Sequence, residues 1–101
     1  MAKNNNRARI INAVKRSESF NLGNVAGTKD AFAKAGRLPE DVREAYLADM
    51  RNARQYGEKV YVVTSYGTPI GWSVDGYWSV PEAYYSSATS QHQNILKDAL
   101  S

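Results

Sequence analysis

The chain predicts an α+β fold: a three-stranded antiparallel meander packed with helices, including a C-terminal helix. Three observations carry this. Residues 39–56 repeat apolar side chains at helical spacing, residues 59–81 switch to β-branched and aromatic runs cut by turn signals, and residues 91–100 return to helical spacing. A length of 101 residues is that of one domain.

In chain order, residues 1–16 read as a basic N-terminal arm, partly helical or disordered, ahead of a single α+β domain at 17–101. Lys3, Arg7, Arg9, Lys15 and Arg16 stand there without an acid, while the rest of the chain is neutral to slightly acidic. Residues 1–6 are expected to be disordered. From Arg7 to Arg16, Ile10, Ile11 and Val14 give a narrow apolar stripe on a short helix. The glycines and asparagines of "SESFNLGNVAGTKD" predict a loop, with Phe20, Leu22 and Val25 anchoring it to the body. A helical turn is expected over residues 30–35, ended by Gly36.

The helix over 39–56 has the strongest signals. Pro39 suits a first helical position, acids Glu40, Asp41 and Glu44 crowd the start, and Arg51 and Arg54 lie near the end, which complements the helix dipole. Val42, Ala45, Tyr46, Met50 and Ala53 share a face, and Gly57 stops the helix. The runs "KVYVVTSYG", "TPIGWSV" and "YWSVP" then read as strands. Asp75-Gly76 predicts a two-residue hairpin turn that pairs Val74 with Tyr77, Ser73 with Trp78 and Trp72 with Ser79. Ile70, Trp72, Val74 and Tyr77 would face the core. Trp78 and Val80 would lie on the opposite face, which favours self-association if uncovered. Pro69 cannot donate to a ladder, so it should begin its strand or widen the loop.

"YYSSATSQHQ" at 84–93 holds the sole histidine. Ser90-Gln91-His92-Gln93 fits a capping box, which predicts Ser90 as the cap of a last helix from about Gln91 to Leu100 and a structural His92. The catalytic alternative takes Ser86, Ser87 or Thr89 as nucleophile and His92 as base, with Glu82 or Asp98 approaching in space.

Other chemistry is excluded more directly. With no cysteine there is no disulfide, thiolate or cysteine-zinc site. One histidine without clustered acids provides no metal set, so neither a metal nor a cofactor is expected. "GNVAGTK" at 23–29 has the wrong spacing and the wrong Thr-Lys order for a phosphate loop. No apolar run reaches the roughly 18 residues of a membrane span. "MAKNNNRARI" lacks the apolar stretch of a secretory signal. The surplus lies in aromatics: Tyr66, Trp72, Trp78, Tyr84 and Tyr85 exceed what so small a core needs, and Tyr and Trp suit contact surfaces.

Residues 61–93 carry a resemblance. "YVVTSYGTPIGW" followed by "YWSVPEAYYSSATSQHQ" resembles a family of small uncharacterised proteins of tailed bacteriophages and prophages. Its pattern falls here on Tyr66, Gly67, Thr68, Pro69, Ile70, Trp72, Val80, Pro81, Tyr85, Ser86, Thr89, His92 and Gln93. Gly71 replaces a more usual Ala, and Ser90 stands where a second Thr is common. The resemblance implies a phage origin and a compartment, the cytoplasm of an infected or lysogenic bacterial host. It also implies a network in which Tyr66, Thr68, Tyr85, Thr89 and His92 converge. The expected function is that of a non-enzymatic phage accessory protein binding a host or phage macromolecule. The alternatives are nucleic-acid binding through Lys3, Arg7, Arg9, Lys15 and Arg16, and binding of a small signalling nucleotide against host defence.

Overall fold

The computed structural model describes residues 2–30, 34–83 and 85–101, with side chains from Asn6 onward. The elements are α1 (Ala2–Arg16), β1 (Phe20–Asn21), β2 (Val25–Lys29), α2 (Glu40–Tyr56), β3 (Val60–Ser65), β4 (Thr68–Val74), β5 (Tyr77–Ser79) and α3 (Ser87–Leu100). The fold is α+β. Its antiparallel sheet has five strands in the order β1-β2-β3-β4-β5, two more than the expected meander.

The added strands come from the segment expected to be a loop. Val25 and Gly27 face inward between more exposed neighbours, the alternation of a half-buried strand. Gly27 is there for space: a Cβ would lie 2.4 Å from both the Phe20 ring and the Tyr61 hydroxyl. The strand tolerates its glycine because two aromatic side chains fill the gap.

The sheet is covered on both faces. On one, α2 brings Tyr46, Met50 and Ala53 onto Val60, Val62 and Trp72. On the other, Ile10 and Val14 of α1 and Leu96 and Ala99 of α3 meet Val25, Tyr61, Val63 and Ile70. The N-terminal segment is thus a helix from Ala2, where disorder was expected over 1–6, and its apolar edge belongs to the core. Trp78 and Val80 are partly buried against this second cluster, so the face that carries them is largely covered within the chain. Trp78 sits edge-on to Tyr61, ring centroids 5.9 Å apart.

Pairing across the Asp75-Gly76 turn joins Val74 with Tyr77, Ser73 with Trp78 and Trp72 with Ser79, as the turn chemistry predicts. The facing differs at Ile70. The β3–β4 register shifts between Val63 and Thr64, so that Gly71 opposes Val63 and Pro69 opposes Thr64. Ile70 is the extra residue of this bulge and joins the α1/α3 cluster, opposite to Trp72. Tyr77 is 83% exposed rather than core, because α2 does not reach the β5 edge.

Helix α2 starts one residue later than expected, with Pro39 as its extended N-cap residue. Gly57 adopts the left-handed conformation that ends it, and its N–H donates to the Ala53 carbonyl. On the predicted face Ala45 is exposed and Val42 half-buried. Of the helical turn expected over 30–35, residues 31–33 lie outside those described, and Asp30, Lys34 and Ala35 are not helical.

Helix α3 begins at Ser87, four residues before the expected Gln91. Its cap is Ser86, whose Oγ accepts from the Thr89 N–H at 3.1 Å. Ser90 does not cap; it is an interior residue whose N–H donates to the Ser86 carbonyl at 2.9 Å. Gln93, the second half of the expected box, donates instead from Nε2 to the Ala83 carbonyl at 2.9 Å. The earlier start lets Thr89, Gln93, Leu96 and Ala99 face the body at helical spacing.

Candidate functional site

One end of the sheet carries a cleft of about 580 Å³ between the β3–β4 turn and the start of α3. Tyr66 and Gly67 form that turn with φ values of 51° and 80°. A two-residue turn with both residues at positive φ matches the sheet twist, but it favours Asn, Asp or Gly over a bulky side chain. Tyr66 occupies the position nonetheless and is 56% exposed. Its N–H donates to the Asn24 carbonyl at 2.7 Å, and its hydroxyl accepts from Asn24 Nδ2 at 3.2 Å. Asn24 thus holds Tyr66 at both its backbone and its hydroxyl.

Beneath Tyr66 the floor is polar. Ser65 Oγ lies 3.0 Å from Thr89 Oγ1 and 2.6 Å from His92 Nδ1. The imidazole packs beside Tyr66, ring centroids 5.9 Å apart and tilted by 34°. Burial pushes the His92 pKa below its ordinary value, which favours the neutral ring. Thr68 Oγ1 accepts from the Arg37 N–H at 3.0 Å, tying the segment before α2 to β4. Tyr85 packs against both apolar clusters. Its hydroxyl is buried and has no hydrogen-bond partner among the described residues. Desolvation raises the Tyr85 pKa.

The structure brings together Tyr66, Thr68, Tyr85, Ser86 and Thr89 around the cleft, with His92 bonded to its floor. Gly67 is part of the turn. Pro69 is fully buried at the bulge, and Gln93 is buried on the Ala83 carbonyl. Trp72 does not join them. It is a core residue on the α2 face, edge-on to Tyr46 at 4.9 Å, and its indole N–H donates to Asp49 Oδ2 at 2.8 Å. Tyr84 lies outside the described residues. Sequence reasoning did not single out Ser65, Asn24 or Arg37. The alternation of β3 placed Ser65 on an inward face, but only the packing of α3 reveals its partners.

The acids considered for His92 are engaged elsewhere: Asp98 pairs with Arg7, and Glu82 lies 3.5 Å from Lys97. The hydroxyl that does reach the imidazole belongs to Ser65, which is 1% exposed. Bonded to both Thr89 and His92, Ser65 ties α3 to β3. Among the described residues no group of His, Asp or Glu is placed to hold a metal ion, and no helix is long and apolar enough to cross a membrane. Of the basic residues, Arg9, Lys15 and Arg16 are exposed along α1, Arg7 is held by Asp98, and the side chain of Lys3 lies outside the described set.

The fold and cleft define a small three-layer α+β protein in which one sheet end is polar, open and topped by a fixed tyrosine. The chain belongs to a family of unknown function, DUF8033, whose model matches residues 4–99. No curated protein and no solved structure matches it.

Proposed function

We propose that the protein is a non-enzymatic phage accessory protein that binds a host or phage macromolecule, and that the Tyr66 cleft is its contact site. The phage context rests on the sequence pattern across residues 61–93. The observation that carries the binding reading is Tyr66 itself: a large aromatic ring, exposed, at a left-handed backbone position that disfavours it. Backbone strain that persists beside a concave surface points to use of the strained residue, and exposed tyrosine is a favoured contact residue. The compartment that accompanies this reading is the cytoplasm of the infected or lysogenic bacterium.

The test is affinity capture from bacterial lysate with matched baits, the wild type and Tyr66→Asn. Asparagine suits the positive φ, so the fold should survive. A partner held by the wild type and lost by Tyr66→Asn is the expected result. The same partner on both baits would remove the cleft from the account. A nucleotide that raises the melting temperature of the wild type alone would make the ligand a small nucleotide instead.

A second reading, nucleic-acid binding, is favoured by the exposed Arg9, Lys15 and Arg16 of α1. Deleting residues 1–16 would remove Ile10 and Val14 from the core, so charge substitution is the proper test. Replacing Arg9 and Arg16 with Gln should reduce the salt dependence of DNA or RNA affinity by roughly 1 in log–log slope per lost phosphate contact. An unchanged slope would end this reading.

A further inference from the structure

We propose that the open sheet edge at β5 takes an extended basic peptide, which adds a sixth strand beside residues 77–79 and seats a lysine or arginine side chain against Asp49. This surface is separate from the Tyr66 cleft and does not depend on it.

Strand β5 ends the sheet, with no strand beyond it among the described residues. Val74 and Tyr77 flank the two-residue turn, so they are a hydrogen-bonded pair, and Trp72 with Ser79 is the next such pair. Trp78, between them, therefore turns its N–H and C=O away from β4. Sheet edges are usually blunted by short strands, Lys, Pro or an inward charge. Strand β5 is short, at three residues, but Tyr77, Trp78 and Ser79 carry no Lys, Pro or charge, and a peptide longer than β5 can still pair at Trp78.

The side of β5 toward α2 is hollow. Helix α2 covers β3 and β4 but leaves Tyr77 83% exposed. Two adjoining hollows of about 410 Å³ and 260 Å³ share Asp49 and Ser79 in their walls. Their acids are Asp41, Asp49 and Glu58, and no Lys or Arg lines either one. Trp72 and Val74 supply apolar floor. A cleft of one charge sign over low-dielectric walls concentrates ligands of the opposite sign. Asp49 is also pre-positioned, since its Oδ2 accepts from the Trp72 indole.

These features define one occupant. A strand added to β5 sends alternate side chains to the α2 side. Bases at those positions would meet the acids of the hollows. Small apolar residues at the intervening positions would lie beside Trp78. A helix such as α1 of a second copy matches the charge but cannot satisfy the outward backbone groups of Trp78.

The probe is a capped hexapeptide of alternating lysine and valine, titrated into the labelled full-length protein and followed by amide NMR. We expect saturable shifts centred on the Trp78 and Ser79 amides, with slower hydrogen exchange at Trp78. The glutamate–valine hexapeptide, and the lysine peptide N-methylated on its pairing amides, should produce none. Asp49→Asn keeps an acceptor for Trp72 and should weaken binding by roughly tenfold. Asp41→Asn, away from that bond, should weaken it less. Tyr66→Asn should bind the peptide like the wild type, so failure of the cleft reading leaves this one standing. Absence of shifts, equal binding of the N-methylated peptide, or indifference to both aspartate substitutions would each overturn the proposal. So would a free protein that sediments as a dimer with the Trp78 amide already protected.

Discussion

The two faces of the sheet are built differently. Under α2 the packing is apolar and aromatic: Leu38, Tyr46, Met50, Val60, Val62 and Trp72 exclude water together. On the other face α1 and α3 together cover a second apolar cluster, with Ile10, Val14, Val25, Tyr61, Val63, Ile70 and Leu96. Toward the Tyr66 end it gives way to Ser65, Thr89, His92 and Gln93. Burying a large apolar side chain contributes about 1.5–3 kcal/mol, whereas an internal hydrogen bond nets only about 0.5–1.5 kcal/mol. The two apolar clusters therefore contribute more to stability than the polar end does. The polar end specifies how α3 sits on β3, and beside it the buried Tyr85 hydroxyl has no hydrogen-bond partner among the described residues.

That contrast can be broken at either face. The largest effect is expected from Trp72→Ala, which empties the α2 face and removes the edge-on contact with Tyr46. It should cost about 3–5 kcal/mol in urea unfolding. A loss below about 1 kcal/mol would mean that the packing of α2 on the sheet contributes little to stability.

The next effect distinguishes two serines of one stretch. Ser86→Ala removes the α3 cap and should cost about 1 kcal/mol. Ser90→Ala, inside the helix, should stay within about 0.5 kcal/mol. Thermal melts of the two variants side by side would decide the register of the helix start.

The smallest effect is a pH dependence at the polar end. A folded-state pKa below the ordinary value of about 6.5 means that His92 contributes stability when neutral. That contribution is present above about pH 6.5 and is lost as pH falls through the depressed folded value. Melting temperatures between pH 8 and pH 5 should fall less steeply for His92→Gln than for the wild type. Identical slopes would indicate that the imidazole is equally solvated folded and unfolded.

Much of this fold was legible in the residues, for local reasons. The Asp75-Gly76 turn set the β4–β5 register because a two-residue loop leaves little freedom. Charges and Gly57 bounded α2 to within a residue. What stayed hidden depended on distant partners. The glycine in β2 reads as a loop until Phe20 and Tyr61 are seen to fill its space. The facing of Ile70 follows from a bulge beside Pro69, whose missing N–H was visible but whose consequence for the next side chain was not. The start of α3 was obscured because its inward residues there, Thr89 and Gln93, are polar and carry no apolar period. The cleft was half legible. The resemblance pointed to Tyr66, Thr68, Tyr85, Thr89 and His92, but it also drew in Trp72, which belongs to the opposite face. Ser65, the hydroxyl that joins Thr89 to His92, looked like an ordinary strand serine.

A contact role for Tyr66 requires that the residue occupies its turn against the interest of stability. Equilibrium unfolding of Tyr66→Asn in urea tests this most directly. The substitution gives up the Asn24 bond and the contact with His92, but it relieves a left-handed residue that costs roughly 1–2 kcal/mol. The account predicts a variant as stable as the wild type or about 1 kcal/mol more stable, with an unchanged m-value. A variant destabilised by about 1 kcal/mol or more would contradict it, because Tyr66 would then be holding the turn together and its exposure would need no functional explanation.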